Sequence, residues 1–139
     1  MKIAVIDGLG GGLGSQIIAG LKRELPDTIE LIALGTNAGA TSKMISKGAD
    51  MGATGENAIR VTTKDVDIIV GPLGIIIPNS MLGEVTTAIA EAIADSPAKK
   101  ILIGNKQPHV ELVGLEEQSI NELIGELTAR VREYIYKLG

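Results

Sequence analysis

Residues 5–17 read VIDGLGGGLGSQI and place five glycines within the seven residues from Gly8 to Gly14. The apolar run at residues 2–6 has no polar alternation, which is typical of a strand buried on both faces of a parallel sheet. After the glycines, apolar residues recur at helical spacing until Pro26, which cannot continue a helix. The segment therefore predicts a strand, a glycine-rich loop and a helix, in that order.

The rest of the chain continues this alternation of strands and helices. Apolar runs at residues 28–34 and 67–70 predict two further buried strands, and a helical apolar pattern begins at about Ser80. Strands that alternate with helices predict an α/β fold whose mostly parallel sheet is covered on both faces. We therefore expect a single domain over residues 1–139, a Rossmann-like three-layer sandwich with the first strand near the centre of the sheet.

Two short apolar runs later in the chain predict a different kind of strand pairing. Residues 100–103 and 109–113 are separated by only five residues. Because a parallel crossover needs roughly a dozen residues or more, we expect these runs to form an antiparallel hairpin at one edge of the sheet. The last helix should begin at a capping box, in which Ser119 and Glu122 satisfy each other's backbone donors.

Composition excludes several classes of function. The formal net charge is -4 and the only aromatic residues are two tyrosines, whereas nucleic-acid binders usually present a basic face with aromatic stacking platforms. The chain has no cysteine and a single histidine, His109, which excludes a thiolate nucleophile and a multi-histidine metal site. Glycine and proline interrupt the apolar residues 68–77. Residues 1–7 have the pattern of a core strand rather than the charged region and cleavage site of a signal peptide. We therefore expect a cytoplasmic protein with no membrane span.

The glycine loop has the features that a phosphate site requires. Backbone N–H groups without a neighbouring Cβ are able to approach an anion closely, and the positive end of the following helix favours negative charge. We therefore predict an anion or nucleotide site formed by Gly8, Gly10, Gly11, Gly12 and Gly14. The alternative is that the glycines only permit positive φ angles and close packing, for which one or two glycines would suffice.

Other candidate binding residues follow the predicted strands. Ligands of parallel sheets bind beyond the carboxyl ends of the strands, where the strand order reverses, and Thr36, Asn37, Gly71 and Lys106 are expected there. Thr36 and Asn37 either hydrogen-bond a ribose or form an ordinary turn and helix cap. Lys106 is either a phosphate contact or a solvated turn residue. We interpret Asp7 as a cap for the glycine turn, with a general base or a magnesium ligand as alternatives.

The glycine spacing resembles that of one enzyme family. The pattern G-x-x-x-G-x-G at Gly8, Gly12 and Gly14 is similar to the cofactor loop of short-chain dehydrogenases and reductases, which implies NAD or NADP as the cofactor. The resemblance ends after the second strand, where a Gly-Thr-Asn triplet replaces the acidic residue that would hold a ribose hydroxyl. The catalytic Tyr-x-x-x-Lys pair of that family has no match, because Tyr134 and Lys137 are one residue too close. No catalytic residue is therefore assigned.

A second resemblance covers nearly the whole chain. The segments DGLGGGLG, ALGTNAGAT, GADMGATGENAI and IIVGPLGIIIPNSMLGE occur in that order. Taken together they resemble a family of small bacterial proteins catalogued as a domain of unknown function. This resemblance implies no activity, so the function has to be argued from the residues.

The three isoleucines at residues 75–77 lie between two Gly/Pro turns and suggest an alternative function. Exposed loops rarely carry so much apolar surface, so the segment is a subunit interface, a wall of the ligand pocket, or a buried continuation of the strand. The leading hypothesis is a protein that binds a nucleotide, dinucleotide or other phosphorylated small molecule at the glycine loop. The alternative is a non-catalytic homodimer or partner-docking module in which that loop is only structural.

Overall fold

The protein is described by a computed structural model that covers residues 1–104, 107 and 109–138. Strands and helices alternate along the chain, as the sequence predicts. In chain order they are β1 (Lys2–Asp7), α1 (Gly12–Glu24), β2 (Glu30–Gly35), α2 (Ala38–Ser46), β3 (Met51–Thr54), α3 (Glu56–Thr62), β4 (Ile68–Pro72), a 3-10 helix (Leu73–Ile76), α4 (Thr87–Asp95), β5 (Lys99–Ile103) and α5 (Ile120–Leu138).

The five strands form one sheet in the order β3-β2-β1-β4-β5, and every strand pair in it is parallel. β1 lies at the centre, as expected, and pairs with β2 from Lys2 opposite Glu30 to Asp7 opposite Gly35. The chain moves outward from β1 to β3 on one side and from β4 to β5 on the other. The strand order therefore reverses between β1 and β4, as in Rossmann-like sheets.

The core consists of two apolar layers, one on each face of the sheet. Side chains alternate along a strand, so Ile3 and Val5 of β1 pack with residues of α1 and α5, whereas Ala4 and Ile6 pack with residues of α3 and α4. All four of these β1 side chains are fully buried. Helices thus cover both faces of the sheet, which confirms the three-layer α/β sandwich.

The predicted antiparallel edge hairpin is wrong. β5 is a parallel edge strand, paired with β4 from Ile68 opposite Lys99 to Pro72 opposite Ile103. Residues 109–113 form no strand and are all exposed, and the antiparallel contact that the described residues show here is an isolated bridge between Gln107 and Val110. Val110, Leu112 and Val113 are exposed and have no covering layer within the described part of the chain, so the apolar pattern alone does not produce a strand here.

Two helix starts illustrate when a local signal is sufficient. The Ser119 hydroxyl accepts from the Glu122 N–H at 3.2 Å, and the Glu122 carboxylate lies 2.9 Å from that hydroxyl, which confirms the predicted cap of α5. The helix predicted from about Ser80 begins later, because Thr86 is the residue that caps α4, accepting from Ile89 at 3.1 Å. Within the described part of the chain, no helix combines the length and the apolar character that a membrane crossing requires.

Candidate functional site

The candidate site lies at the carboxyl ends of β1 and β4, where the strand order reverses. The glycine loop follows β1 directly, and Gly71 lies near the end of β4. A Cβ at Gly71 would meet the backbone oxygen of Ile6 at 2.3 Å, so this glycine lets β4 approach β1 closely. The predicted residue Gly71 therefore has a packing role at the edge of the site.

Asp7 closes the glycine loop at its base. Its two carboxylate oxygens accept hydrogen bonds from the N–H of Gly8 at 2.8 Å and from the N–H of Gly14 at 2.7 Å. Burial raises the pKa of the Asp7 carboxyl, and the two hydrogen bonds act in the opposite direction. Because both oxygens are engaged in the loop, the geometry agrees with the cap interpretation of Asp7.

Three of the five loop glycines are required by the packing of the protein itself. A Cβ at Gly8 would lie 2.3 Å from the Thr36 hydroxyl, and one at Gly14 would lie 2.7 Å from the Asp7 Cβ. Gly11 adopts a φ of 70°, and a Cβ there would lie 2.8 Å from the Ala40 Cα. Side chains at these positions would collide with neighbouring residues, so these glycines agree with the structural alternative.

The other two loop glycines have no such requirement. A Cβ at Gly10 would meet no atom within 4 Å, and one at Gly12 would meet only the Lys43 ammonium nitrogen, at 4.0 Å. Neither residue has a positive φ. Gly10 and Gly12 therefore leave open space in front of the loop that nothing in the described protein occupies.

Three backbone N–H groups of this segment have no hydrogen-bond acceptor among the described residues. No described residue accepts a hydrogen bond from the N–H of Gly10, Gly12 or Leu13. The first turn of α1 contains no acidic residue, and its N-cap residue, Gly11, has no side chain with which to cap the helix. The Asp7 carboxylate accepts from the Gly14 N–H in this first turn, whereas the N–H groups of Gly12 and Leu13 at the same positive end of α1 have no acceptor among the described residues.

Lys43 is a site residue that the sequence analysis missed. It is exposed on α2, and no carboxylate of the described residues lies within ion-pair distance of its ammonium group. The packing of α2 against α1 brings it to Gly12. The sequence offered only a weak signal, a lysine six residues after the helix cap Asn37, whose direction depends on how the two helices pack.

Glu84 is the second residue that the sequence analysis missed. Its Oε1 atom accepts hydrogen bonds from the Thr36 hydroxyl at 2.6 Å, the Asn37 side-chain amide at 2.8 Å and the Leu9 N–H at 2.9 Å. The Thr36 hydroxyl, followed by the other two donors, lowers the pKa of the Glu84 carboxyl, with desolvation opposing them. An ionised carboxylate is thus fixed beside the glycine loop at the end of β2.

Thr36 and Asn37 directly follow β2, at the carboxyl ends of the strands, as predicted. The Asn37 side chain caps α2 by accepting from the Ala40 N–H at 2.8 Å, and its amide also donates to the Leu9 backbone oxygen at 2.8 Å. Asn37 therefore performs the helix-cap role. Together with Thr36 it also connects the glycine loop to Glu84.

The structure does not bring the remaining described candidates to the loop. Lys106 lies outside the described residues, and His109 is exposed in a turn. Ile75 is fully buried in the layer with α4, and Ile76 packs against that layer, so burial explains most of the apolar segment at residues 75–77. Across the described ranges, no three histidine or acidic side chains are grouped as a metal site would need.

A groove of about 720 Å³ lies elsewhere, between β5 and α5. Its lining includes Lys99, Leu123 and Tyr134, and the Lys99 ammonium lies 5.7 Å from the centre of the Tyr134 ring. None of the glycine-loop residues lines this groove. The predicted site and this groove are therefore separate features of the molecule.

Solved structures with the same fold share little sequence with this chain. One is described as a dodecameric FMN-dependent UbiX-like decarboxylase from Escherichia coli O157:H7, with a TM-score of 0.55 and 15% identity over 97% of this chain and 94% of that one. Another is a triphenylmethane reductase from Citrobacter sp., with a TM-score of 0.54 and 18% identity over 94% of this chain and 45% of that one. At these identities the similarity concerns the fold alone.

The family comparison is more specific than the comparison of folds. No curated protein matches this chain. The model of one family matches residues 2–136, nearly the full length, in agreement with the resemblance noted from the sequence segments. The chain belongs to that family, the domain of unknown function DUF3842.

Proposed function

We propose that the loop from Gly8 to Gly14 binds the phosphate of a nucleotide, a dinucleotide or another phosphorylated small molecule. The observation that carries this proposal is the open space at Gly10 and Gly12. Glycine costs more conformational entropy on folding than other residues, and these two positions show neither crowding nor positive φ in return. Space kept free of side chains beside backbone donors fits an anion that must approach the backbone closely.

The electrostatic surroundings support the same proposal. The N–H groups of Gly10, Gly12 and Leu13 are available as donors, at the positive end of α1. Lys43, which is exposed, adds a positive charge close to Gly12. Glycine N–H groups, a helix N-terminus and one lysine form a donor set that suits phosphate oxygens.

The position of the loop in the fold also supports phosphate binding. In open parallel sheets, ligands bind beyond the carboxyl ends of the strands at the point where the strand order reverses. The loop after β1 lies at that point. One protein of the same fold is described as FMN-dependent, and the resemblance of the glycine loop to that of short-chain dehydrogenases and reductases implies NAD or NADP. We propose a binding function and assign no reaction.

A thermal-shift panel tests this proposal. NAD, NADP, FMN, ATP and pyrophosphate are each added to the folded protein, because a ligand that binds only the native state raises the melting temperature by mass action. We expect at least one phosphorylated compound to raise it in a saturable manner, and adenosine without phosphate to have no effect. If no phosphorylated compound stabilises the protein, the proposal is wrong.

A homodimer is a second proposal, favoured by a different observation. Leu112, Val113 and Leu115 are exposed, Val113 completely, and clustered exposed apolar residues are typical of protein contacts. The solved UbiX-like structure of the same fold is described as dodecameric. Sedimentation of the native protein and of Val113→Asp tests this: we expect a dimer that dissociates in the variant. A monomeric native protein contradicts the proposal.

A further inference from the structure

A carboxylate lies at the end of β2 although the chain has no acidic residue there. Residues 35–37 read Gly-Thr-Asn, and the carboxylate belongs to Glu84, from the loop between the 3-10 helix and α4. The Thr36 hydroxyl and the Asn37 amide hold it in place. In dinucleotide-binding sheets, an acid at the end of the second strand hydrogen-bonds the ribose hydroxyls. Glu84 thus brings that functional group to the same position from a distant part of the sequence.

The two oxygens of the Glu84 carboxylate are used differently. Oε1 accepts all three hydrogen bonds, from Leu9, Thr36 and Asn37, whereas no described residue donates to Oε2. One oxygen therefore anchors the side chain, and the other retains its capacity to accept hydrogen bonds. A carboxylate fixed in this way is able to bind hydroxyl donors of a ligand.

The loop that carries Glu84 is held in an unusual shape. Asn79, Met81 and Leu82 have φ values of 67°, 57° and 56°, a region that residues other than glycine seldom adopt. Hydrogen bonds within the loop maintain this shape, including one from the Glu84 N–H to the Met81 oxygen at 3.1 Å. Backbone strain of this kind persists only where surrounding contacts enforce it. The position of Glu84 is therefore enforced by its loop as well as by its own hydrogen bonds.

Glu84 does not occupy the proposed phosphate site at the glycine loop. Its contact with the glycine loop is the Leu9 N–H, whereas the donors left without partners are those of Gly10, Gly12 and Leu13. The carboxylate and the free donors are therefore neighbouring features of one site. A ligand held by its phosphate at the free donors would present its adjoining group to the carboxylate.

We infer that Glu84 selects a ligand whose sugar next to the bound phosphate carries free hydroxyl groups, such as the ribose of a nucleotide, and rejects one with a second phosphate there. This inference rests on the proposed phosphate site. Hydroxyls donate hydrogen bonds to an ionised carboxylate, whereas a phosphate at the same position would be repelled by a like charge that has little freedom to move away. NAD and NADP are suitable probes, because they differ by one phosphate on a ribose hydroxyl.

The experiment measures the dissociation constants of NAD, NADP and pyrophosphate by calorimetry for the native protein, Glu84→Gln and Glu84→Ala. We expect the native protein to prefer NAD by about tenfold or more, and the charge-free variants to reduce this preference to about threefold or less. Pyrophosphate affinity should change little in the variants, because pyrophosphate has no hydroxyl to contact Glu84. Glu56→Gln is the control. Glu56 is the first residue of α3 and its carboxylate accepts from the Thr86 hydroxyl, so this variant removes a carboxylate and should keep the native preference.

Several outcomes of this experiment overturn the inference while the proposed function survives. They are pyrophosphate binding with no NAD binding, equal or stronger binding of NADP by the native protein, and an unchanged preference in Glu84→Gln. A large gain of pyrophosphate affinity in Glu84→Ala would also overturn it, since Glu84 would then have been occupying the phosphate position. If the native protein binds none of NAD, NADP and pyrophosphate and no phosphorylated compound of the thermal-shift panel stabilises it, the proposed function itself is contradicted. Because the native preference needs no variant, the inference stays testable even if Glu84 variants unfold.

Discussion

The Glu84 carboxylate lies 2.6 Å from the Thr36 hydroxyl, although 48 residues separate the two in the chain. This hydrogen bond joins the loop before α4 to the end of β2, across the first glycine of the loop. A Cβ at Gly8 would meet both residues, Thr36 at 2.3 Å and Glu84 at 3.0 Å. The glycine loop, the end of β2 and the Glu84 loop are therefore packed as one unit.

Glu84→Gln should destabilise the protein at neutral pH by about 1–2 kcal/mol, because hydrogen bonds to a charged acceptor are replaced by bonds to a neutral one. The pKa of Glu84 is lowered in the folded state, so its contribution is present above the unfolded value of about 4.3 and is lost as pH falls through the folded value. The difference between native protein and variant should therefore disappear on acidification. Urea unfolding at neutral and acid pH measures it; a difference that grows towards acid pH would contradict this.

Asp7→Asn should destabilise the protein by about 1–3 kcal/mol at neutral pH, because one of the buried loop N–H groups would face an amide donor. The pH dependence has the opposite sign to that of Glu84. The pKa of Asp7 is raised in the folded state, so its contribution to stability falls as pH rises from the unfolded value of about 3.9 through the folded value. The variant lacks this pH dependence. The difference in unfolding free energy between the native protein and the variant should therefore shrink as pH rises over that range. Exposed Asp65→Asn is the control and should change stability by less than about 1 kcal/mol.

The loop glycines should separate into two classes on substitution by alanine. Gly11→Ala should lose about 2 kcal/mol or more, because a positive φ and the Ala40 backbone both oppose the new side chain. Gly10→Ala should stay within about 0.5 kcal/mol of the native protein, and Gly12→Ala should be equal or more stable, since alanine favours the helix it begins. Thermal unfolding of the three variants measures this. Comparable losses in all three would mean that Gly10 and Gly12 are structural.

Lys43→Ala should weaken pyrophosphate binding by about three- to tenfold, with little change in stability, because an exposed lysine near the loop contributes attraction that solvent screens. The loss should diminish at high ionic strength. Lys64→Ala serves as the control. It removes the same charge from an exposed turn just before β4, at the amino ends of the strands and therefore at the opposite end of the sheet from the glycine loop. Equal losses in the two variants would indicate that only net charge matters.

Much of the fold could be predicted from the sequence because it rests on local patterns. The uninterrupted apolar run of β1, the stop at Pro26 and the capping box at Ser119 each act within a few residues, and the structure agrees with all three. The edge hairpin could not be judged in this way. Whether residues 109–113 form a strand depends on a partner and a covering layer, and a local pattern contains neither.

The candidate site divides in the same manner. The glycine loop and the cap at Asp7 are sequence-local, and the structure places them as expected. Lys43 and Glu84 were missed for different reasons. The first depends on how α2 packs against α1, and the second lies where the apolar spacing extends a helix that in fact begins after Thr86. Residues that reach a site from a distant loop require the tertiary structure.

The most direct test of the proposed phosphate site is a pyrophosphate titration that is monitored through the backbone amide signals in two-dimensional NMR. We predict saturable shifts concentrated on Gly10, Gly12 and Leu13, and their loss in a Gly10→Ala, Gly12→Ala double variant that remains folded. Shifts that never saturate, or saturable shifts centred on the groove between β5 and α5, would contradict the account.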